Sequence, residues 1–112
     1  MPVKCDEYGQ VCVIALQGDF AGPEAEQVQK VVEQRLKDRR WLNFVIDFEH
    51  ARFISSDGLE GLLAVRRRCE ERHGQVRLSG LDENCKRILQ ITRLDHRFES
   101  YPDLAGALKA SA

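Results

Sequence analysis

The stretch that decides the fold is NFVIDFEHARFISSDGLEGLLAVRRRC, Asn43 to Cys69. It opens with NFVIDF, Asn43 to Phe48, which is apolar enough for a central strand covered on both faces. It closes with a segment in which Leu59, Leu62, Leu63, Arg66 and Cys69 lie along one side of a helix. Beyond that stripe Arg66 to Arg68, Glu70, Glu71 and Arg72 make the far end mostly solvated, and His73 and Gly74 stop the helix. Between strand and helix stand three small polar residues, Ser55, Ser56 and Asp57.

Working outward, VCVIALQG (Val11 to Gly18) begins with six apolar residues, the pattern of a second strand buried on both faces. VKCDEY before it pairs as an edge strand, with Gly9 and Gln10 in the turn. Gly22 and Pro23 open a helix, because proline suits the first helical turn. Ala25, Val28, Val32 and Leu36 give that helix one apolar stripe, and it ends near Arg39, where Lys37, Arg39 and Arg40 complement the dipole. Trp41 anchors the start of the next strand.

Downstream, QVRLSG alternates Val76 and Leu78 against Gln75, Arg77 and Ser79, which predicts a strand with one wet face. Asp82 caps a third helix, with Cys85, Ile88, Leu89 and Thr92 turned inward. A short strand over Arg97 to Ser100 and a last helix from Asp103 complete the chain. Strands alternating with helices imply parallel neighbours, so the fold class is α/β. The expectation is one small domain over residues 1–112, with a mixed, mostly parallel sheet of about five strands and about four helices packed against it.

Composition narrows the function classes. The 112 residues carry 17 basic and 18 acidic side chains, a formal net charge of -1. That balance gives no global attraction to nucleic acid or to an anionic membrane. No apolar segment approaches the length that spans a bilayer, and MPVKCDEYGQ has no run of secretory length, which predicts a cytoplasmic protein without membrane insertion. Cys5, Cys12, Cys69 and Cys85 form no CxxC, and three of the four fall at core-facing positions, so reduced, buried thiols are expected. His50, His73 and His96 share no ligand spacing with one another or with the cysteines, so neither a metal nor a cofactor is expected.

Three readings of Ser55, Ser56 and Asp57 stay open on the residues alone. In the first, Ser56 or Asp57 is simply the N-cap, with Asp57 and Glu60 at capping-box spacing. In the second, a serine is a nucleophile. No G-x-S-x-G surrounds either serine and no glycine-rich loop offers an oxyanion hole, so no catalytic residue is assigned. In the third, a hydroxyl at a helix N-terminus accepts a phosphate, which the dipole and free N–H groups favour there. The run Arg66, Arg67, Arg68 and Arg72 reads either as a solvated helix face or as a dock for an acidic partner.

FVIDFEHARFISSDGLEGLL resembles the signature of STAS domains, in particular bacterial anti-sigma factor antagonists. That signature is an apolar strand, a short acidic segment, an aromatic and an apolar residue, then Asp-Ser-Ser/Thr-Gly-Leu opening a helix. QGDFAG resembles the family's G-[ED]-[LIF] stretch, and NCKRILQITRLDHRFESYPDLAGAL resembles its closing helix, strand and helix. The resemblance implies a binding switch. The unphosphorylated domain binds an anti-sigma factor that is also a serine kinase, and so frees a sigma factor. Phosphorylation by that kinase breaks the complex, and a serine phosphatase restores it. ATP belongs to the kinase. Aligned on Phe53 and Gly58, the phosphoacceptor falls on Ser56, and the partner-binding residues implied are Asp19, Ser55, Ser56, Asp57, Gly58, Glu60 and Arg66.

The chain departs from the signature at three places: Ser55 replaces the motif aspartate, Asp57 replaces the second Ser/Thr, and a further family aspartate falls on Ala21. A fixed charge at Asp57 opposes an added phosphate by like-charge repulsion. The alternative implied is a non-switching STAS subunit of a transporter-associated or other signalling complex.

Overall fold

The computed structural model describes residues 3–38 and 40–111. Strands β1 (Val3–Tyr8) and β2 (Val11–Leu16) form a hairpin through Gly9 and Gln10, with Gly9 in the left-handed region at φ 63°. Helix α1 (Gly22–Leu36), strand β3 (Asn43–Asp47), helix α2 (Ser56–Glu71), strand β4 (Gln75–Ser79) and helix α3 (Glu83–Ile91) then alternate. A 3-10 turn (Asp95–Arg97), strand β5 (Glu99–Tyr101) and helix α4 (Leu104–Ser111) follow. The sheet order is β1-β2-β3-β4-β5, with β1 antiparallel to β2 and all other neighbours parallel. The expected mixed, mostly parallel sheet of five strands with four helices is what the chain forms.

Both faces of the sheet are covered, which explains the unbroken apolar run of β2. Cys12, Ile14 and Leu16 join Phe44, Ile46, Val76 and Leu78 beneath α1, α2 and α3 in the main core. Val11, Val13 and Val45 face the other way, under Ala107, Leu104 and Leu108 of α4. Ala25, Val28, Val32 and Leu36 of α1 are buried as their spacing predicts, and Trp41 is buried just before β3. A side chain that loses most of its exposed apolar surface in this way contributes roughly 1.5–3 kcal/mol. No helix among the described residues is long and apolar enough to cross a membrane.

Several expectations are corrected by packing. The predicted wet face of β4 is wet only at Gln75: Arg77 is 9% exposed and Ser79 0%. Helix α4 and β5 close over it, and the polar groups are kept hydrogen-bonded rather than solvated. Arg77 donates to Glu99 Oε1 at 3.1 Å, to Ser111 Oγ at 3.3 Å and to Gln75 Oε1, while Ser79 Oγ donates to Asp47 Oδ1 at 3.2 Å. The buried side of α2 is Gly58, Gly61, Leu62, Val65 and Cys69, with Leu59, Leu63 and Arg66 half-buried at its margin. Glycines carry no hydropathy signal, so a pattern of large apolar residues points slightly to one side of the true contact.

Smaller differences concern ends. Helix α1 stops at Leu36 with Lys37 as its C-cap, and Arg39 lies outside the described residues. Thr92 is exposed and its Oγ1 donates to the Ile88 carbonyl at 2.7 Å, so it terminates α3 instead of facing the core. The last strand covers Glu99–Tyr101 rather than Arg97–Ser100, because Asp95–Arg97 curl into the 3-10 turn. His73 stops α2 by taking φ 61°, the left-handed value more usual for glycine.

Candidate functional site

The C-terminal ends of the parallel strands share one edge of the sheet, and the loops leaving them build the site. The loop after β2 and the loop after β3 remain paired beyond their strands through an isolated parallel bridge between Phe20 and Ile54. Phe20 N–H donates to the Phe53 carbonyl at 2.9 Å, and Ser55 N–H donates to the Phe20 carbonyl at 3.0 Å. Asp19 Oδ1 accepts the N–H of Arg52 at 3.1 Å, and Asn84 of α3 donates to the Arg52 carbonyl at 2.8 Å. Segment 49–55 is thus braced from both sides before α2 begins.

The three polar residues divide the work. Ser55 is the N-cap of α2: its backbone is extended and its Oγ accepts the Gly58 N–H at 3.0 Å. This corrects the assignment of Ser56 or Asp57 to the cap, and the Asp57–Glu60 capping box does not form. An N-cap needs extended φ/ψ, and the pairing of Ser55 with Phe20 places that turn one residue earlier. Ser56 is therefore the first helical residue and is exposed, its hydroxyl taking no part in the cap. Asp57 is exposed in the first turn. Its carboxylate lies beside the start of α1, where a Cβ built on Gly22 comes 3.5 Å from Oδ2. Two helix N-termini converge on this corner, and both favour negative charge.

Two glycines make the corner possible. A Cβ at Gly58 would overlap the Phe20 carbonyl oxygen, and one at Gly61 would overlap the Ala25 side chain of α1. Gly58 is buried, so it shapes the surface and does not present a side to a partner. Glu60, one turn beyond Ser56, is exposed. With Gly22, Glu26, Gln29, Asp57 and Gly61 it lines a shallow acidic groove between α1 and α2. Asp19 is exposed but already holds Arg52. Arg66 is not part of this corner. It sits ten residues, about 15 Å, along the helix from Ser56 and is paired with Glu70 at 3.2 Å.

One surface residue escaped the residue-by-residue reading. Phe53 is 48% exposed on the loop that leads into Ser55. Its signal was the alternation of the loop itself: Ile54 turns in, so Phe53 must turn out. Aromatic side chains are enriched in the cores of protein interfaces. On the far side of the loop, Asp82 caps α3 by accepting the Cys85 N–H at 2.8 Å, and that bond holds its carboxyl below the usual carboxylate range. Burial pushes the Cys85 and Cys69 thiols up to about 12, so neither is poised for chemistry. No base hydrogen-bonds Ser55 or Ser56 among the described residues.

Comparison with known proteins agrees with this architecture. The profile of the STAS domain family matches residues 3–107. An anti-sigma-factor antagonist (STAS) domain protein from Planctomyces limnophilus superposes with a TM-score of 0.81 at 25% identity, over 98% of this chain and 97% of that one. The Bacillus cell fate determinant SpoIIAA in its phosphorylated form superposes with a TM-score of 0.73 at 16% identity, over 96% of this chain and 98% of that one. The murine Solute Carrier 26 family member A9 anion transporter matches with a TM-score of 0.78 at 14% identity, over 95% of this chain but 18% of its own. No curated protein matches the sequence. With the matched profile spanning nearly its whole length and the strand-loop-helix corner in place, this chain belongs to the STAS domain family.

Proposed function

We propose that the chain is an anti-sigma factor antagonist that acts by binding, in the cytoplasm, and is switched off by phosphorylation of Ser56. The observation that carries this reading is the exposure of Ser56 at the first position of α2, three residues after the exposed Phe53. Unphosphorylated, the corner of Phe53, Ser56, Asp57 and Glu60 docks on an anti-sigma factor serine kinase. Asp19 and Ser55 hold the corner in shape from below. The acidic residues of the groove suit a partner that brings positive charge, as a protein kinase does around its nucleotide phosphates.

ATP is held by the kinase, and this chain supplies only the acceptor oxygen. A phosphate on Ser56 adds about -1.5 to -2 charges beside Asp57. The helix N-termini keep it from unfolding the domain, while its charge and bulk remove the surface the kinase gripped. A serine phosphatase resets the site. Ser55 in place of the motif aspartate fits the same scheme, because serine and aspartate are equivalent as N-caps and the cap is what this position does here. Purification of the tagged chain from its own cells, with mass spectrometry of whatever accompanies it and of its phosphates, tests the proposal. A kinase partner and phosphate on Ser56 are expected.

A second reading rests on Asp57. A permanent carboxylate one residue from the acceptor imitates part of the phosphate's charge, which suits a non-switching subunit of a transporter-associated or signalling complex. In that case the bound partner is the same with and without ATP, and Ser56 carries no phosphate.

A further inference from the structure

Cys5 and Cys12 lie on the same face of the β1–β2 hairpin. The register pairs Cys5 with Ile14 and Glu7 with Cys12, so the two cysteines are diagonal neighbours. Their sulfurs are 3.1 Å apart. A disulfide bond is ~2.05 Å long, so the two sulfurs stand about 1 Å beyond bonding distance. The two thiols differ in access: Cys12 is 0% exposed, whereas Cys5 is half-buried on the edge strand. Arg35, reaching over from α1, donates Nη2–H to Cys5 Sγ at 3.5 Å and also pairs with Glu7. Cys69 and Cys85 are fully buried and have no cysteine beside them among the described residues.

We infer that Cys5 and Cys12 are a redox modification site, oxidised to an intrachain disulfide by hydroperoxides. The sulfur of Cys5, the less buried of the two residues, attacks the terminal peroxide oxygen and its proton passes to the leaving oxygen. The O–O bond breaks, the leaving oxygen departs as water or alcohol, and Cys5 becomes a sulfenic acid. The Cys12 sulfur then attacks the Cys5 sulfur, forming the S–S bond and expelling the hydroxyl as water with the Cys12 proton. In sum two thiols and one hydroperoxide give one disulfide, one water and one further water or alcohol. The guanidinium of Arg35, 3.5 Å from the Cys5 sulfur, faces the negative charge that this attack passes to the leaving oxygen. Burial raises the Cys12 thiol well above the ordinary range, which makes it a slow nucleophile in bulk terms. Contact with its target offsets this by a high effective concentration. The product pins the edge strand to β2 and is reversed by a dithiol reductant.

The purified full-length chain is treated with hydrogen peroxide, unfolded, alkylated and digested with trypsin. The expected result is that two of the four thiols escape alkylation, that the peptide holding Cys5 and Cys12 is lighter by about 2 Da, and that dithiothreitol restores both thiols. In C12S, dimedone traps a sulfenic acid on Cys5; in C5S, peroxide leaves Cys12 reduced. All four thiols remaining alkylatable in the wild type, or Cys5 proceeding to sulfinic acid with Cys12 still reduced, overturns the inference. So does oxidation of Cys69 or Cys85 as fast as that of Cys5.

Discussion

Ser55 Oγ accepts the Gly58 N–H at 3.0 Å, and this one bond separates two adjacent serines into a structural residue and a free one. Loss of the cap in Ser55→Ala costs about 1 kcal/mol, a drop of about 5 °C in Tm for a domain of this size. Ser56→Ala leaves Tm within about 1 °C, since its hydroxyl caps nothing. Calorimetry on the two variants checks the division, and equal losses at both positions would contradict it.

Gly58→Ala sets two effects against each other. Alanine is favoured over glycine inside a helix by roughly 1 kcal/mol. At this position, however, its Cβ overlaps the backbone oxygen of Phe20, which is pinned by its bonds to Ser55 and cannot withdraw. The overlap wins, and denaturant unfolding shows a net loss of about 1–3 kcal/mol. Gly22→Ala is the control, because its Cβ meets only ordinary contact with Asp57.

Arg77→Met tests the polar layer under α4. The substitution keeps the stem and removes the donors to Glu99, Ser111 and Gln75. Ser111 then keeps only its own bond to the Ala107 carbonyl, and the last turn of α4 loses its tie to the sheet. A loss of about 1–3 kcal/mol is expected, with amide exchange speeding up in α4 before the central strands.

Asp82 predicts part of the acid limb of stability. Its folded-state carboxyl is held below the ordinary value by the Cys85 N–H, so the cap's contribution is fully present above the ordinary aspartate range. It is lost as pH falls through that range and down past the folded value. Asp82→Asn keeps a capping oxygen without a titrating proton. At pH 7 it costs little, and its stability falls less between about pH 5 and pH 2 than that of the wild type.

The architecture was legible because its signals are periodic. The double-sided apolar run of β2, the stripe of α1 and the run of β3 each announce a buried element, and strand-helix alternation leaves few topologies. What failed depended on a neighbour distant in sequence. Arg77 and Ser79 look solvated until α4, more than twenty residues later, covers them. The contact face of α2 runs through Gly58 and Gly61, whose role is to be small. At the site, the serine-aspartate corner could be located from the sequence and the resemblance pointed to Ser56, but the residues alone did not say which of them caps the helix. That was decided by the bridge between Phe20 and Ile54, which fixes where the helix begins.

In the proposed switch, Ser56 alone receives the phosphate that ends partner binding. Its most direct test is phosphoryl transfer from labelled ATP by the co-purified kinase to the wild type and to Ser56→Ala, with binding of both measured in the absence of ATP. Equal binding is expected, with label on the wild type and none on the variant. Label of similar extent on Ser56→Ala would contradict it.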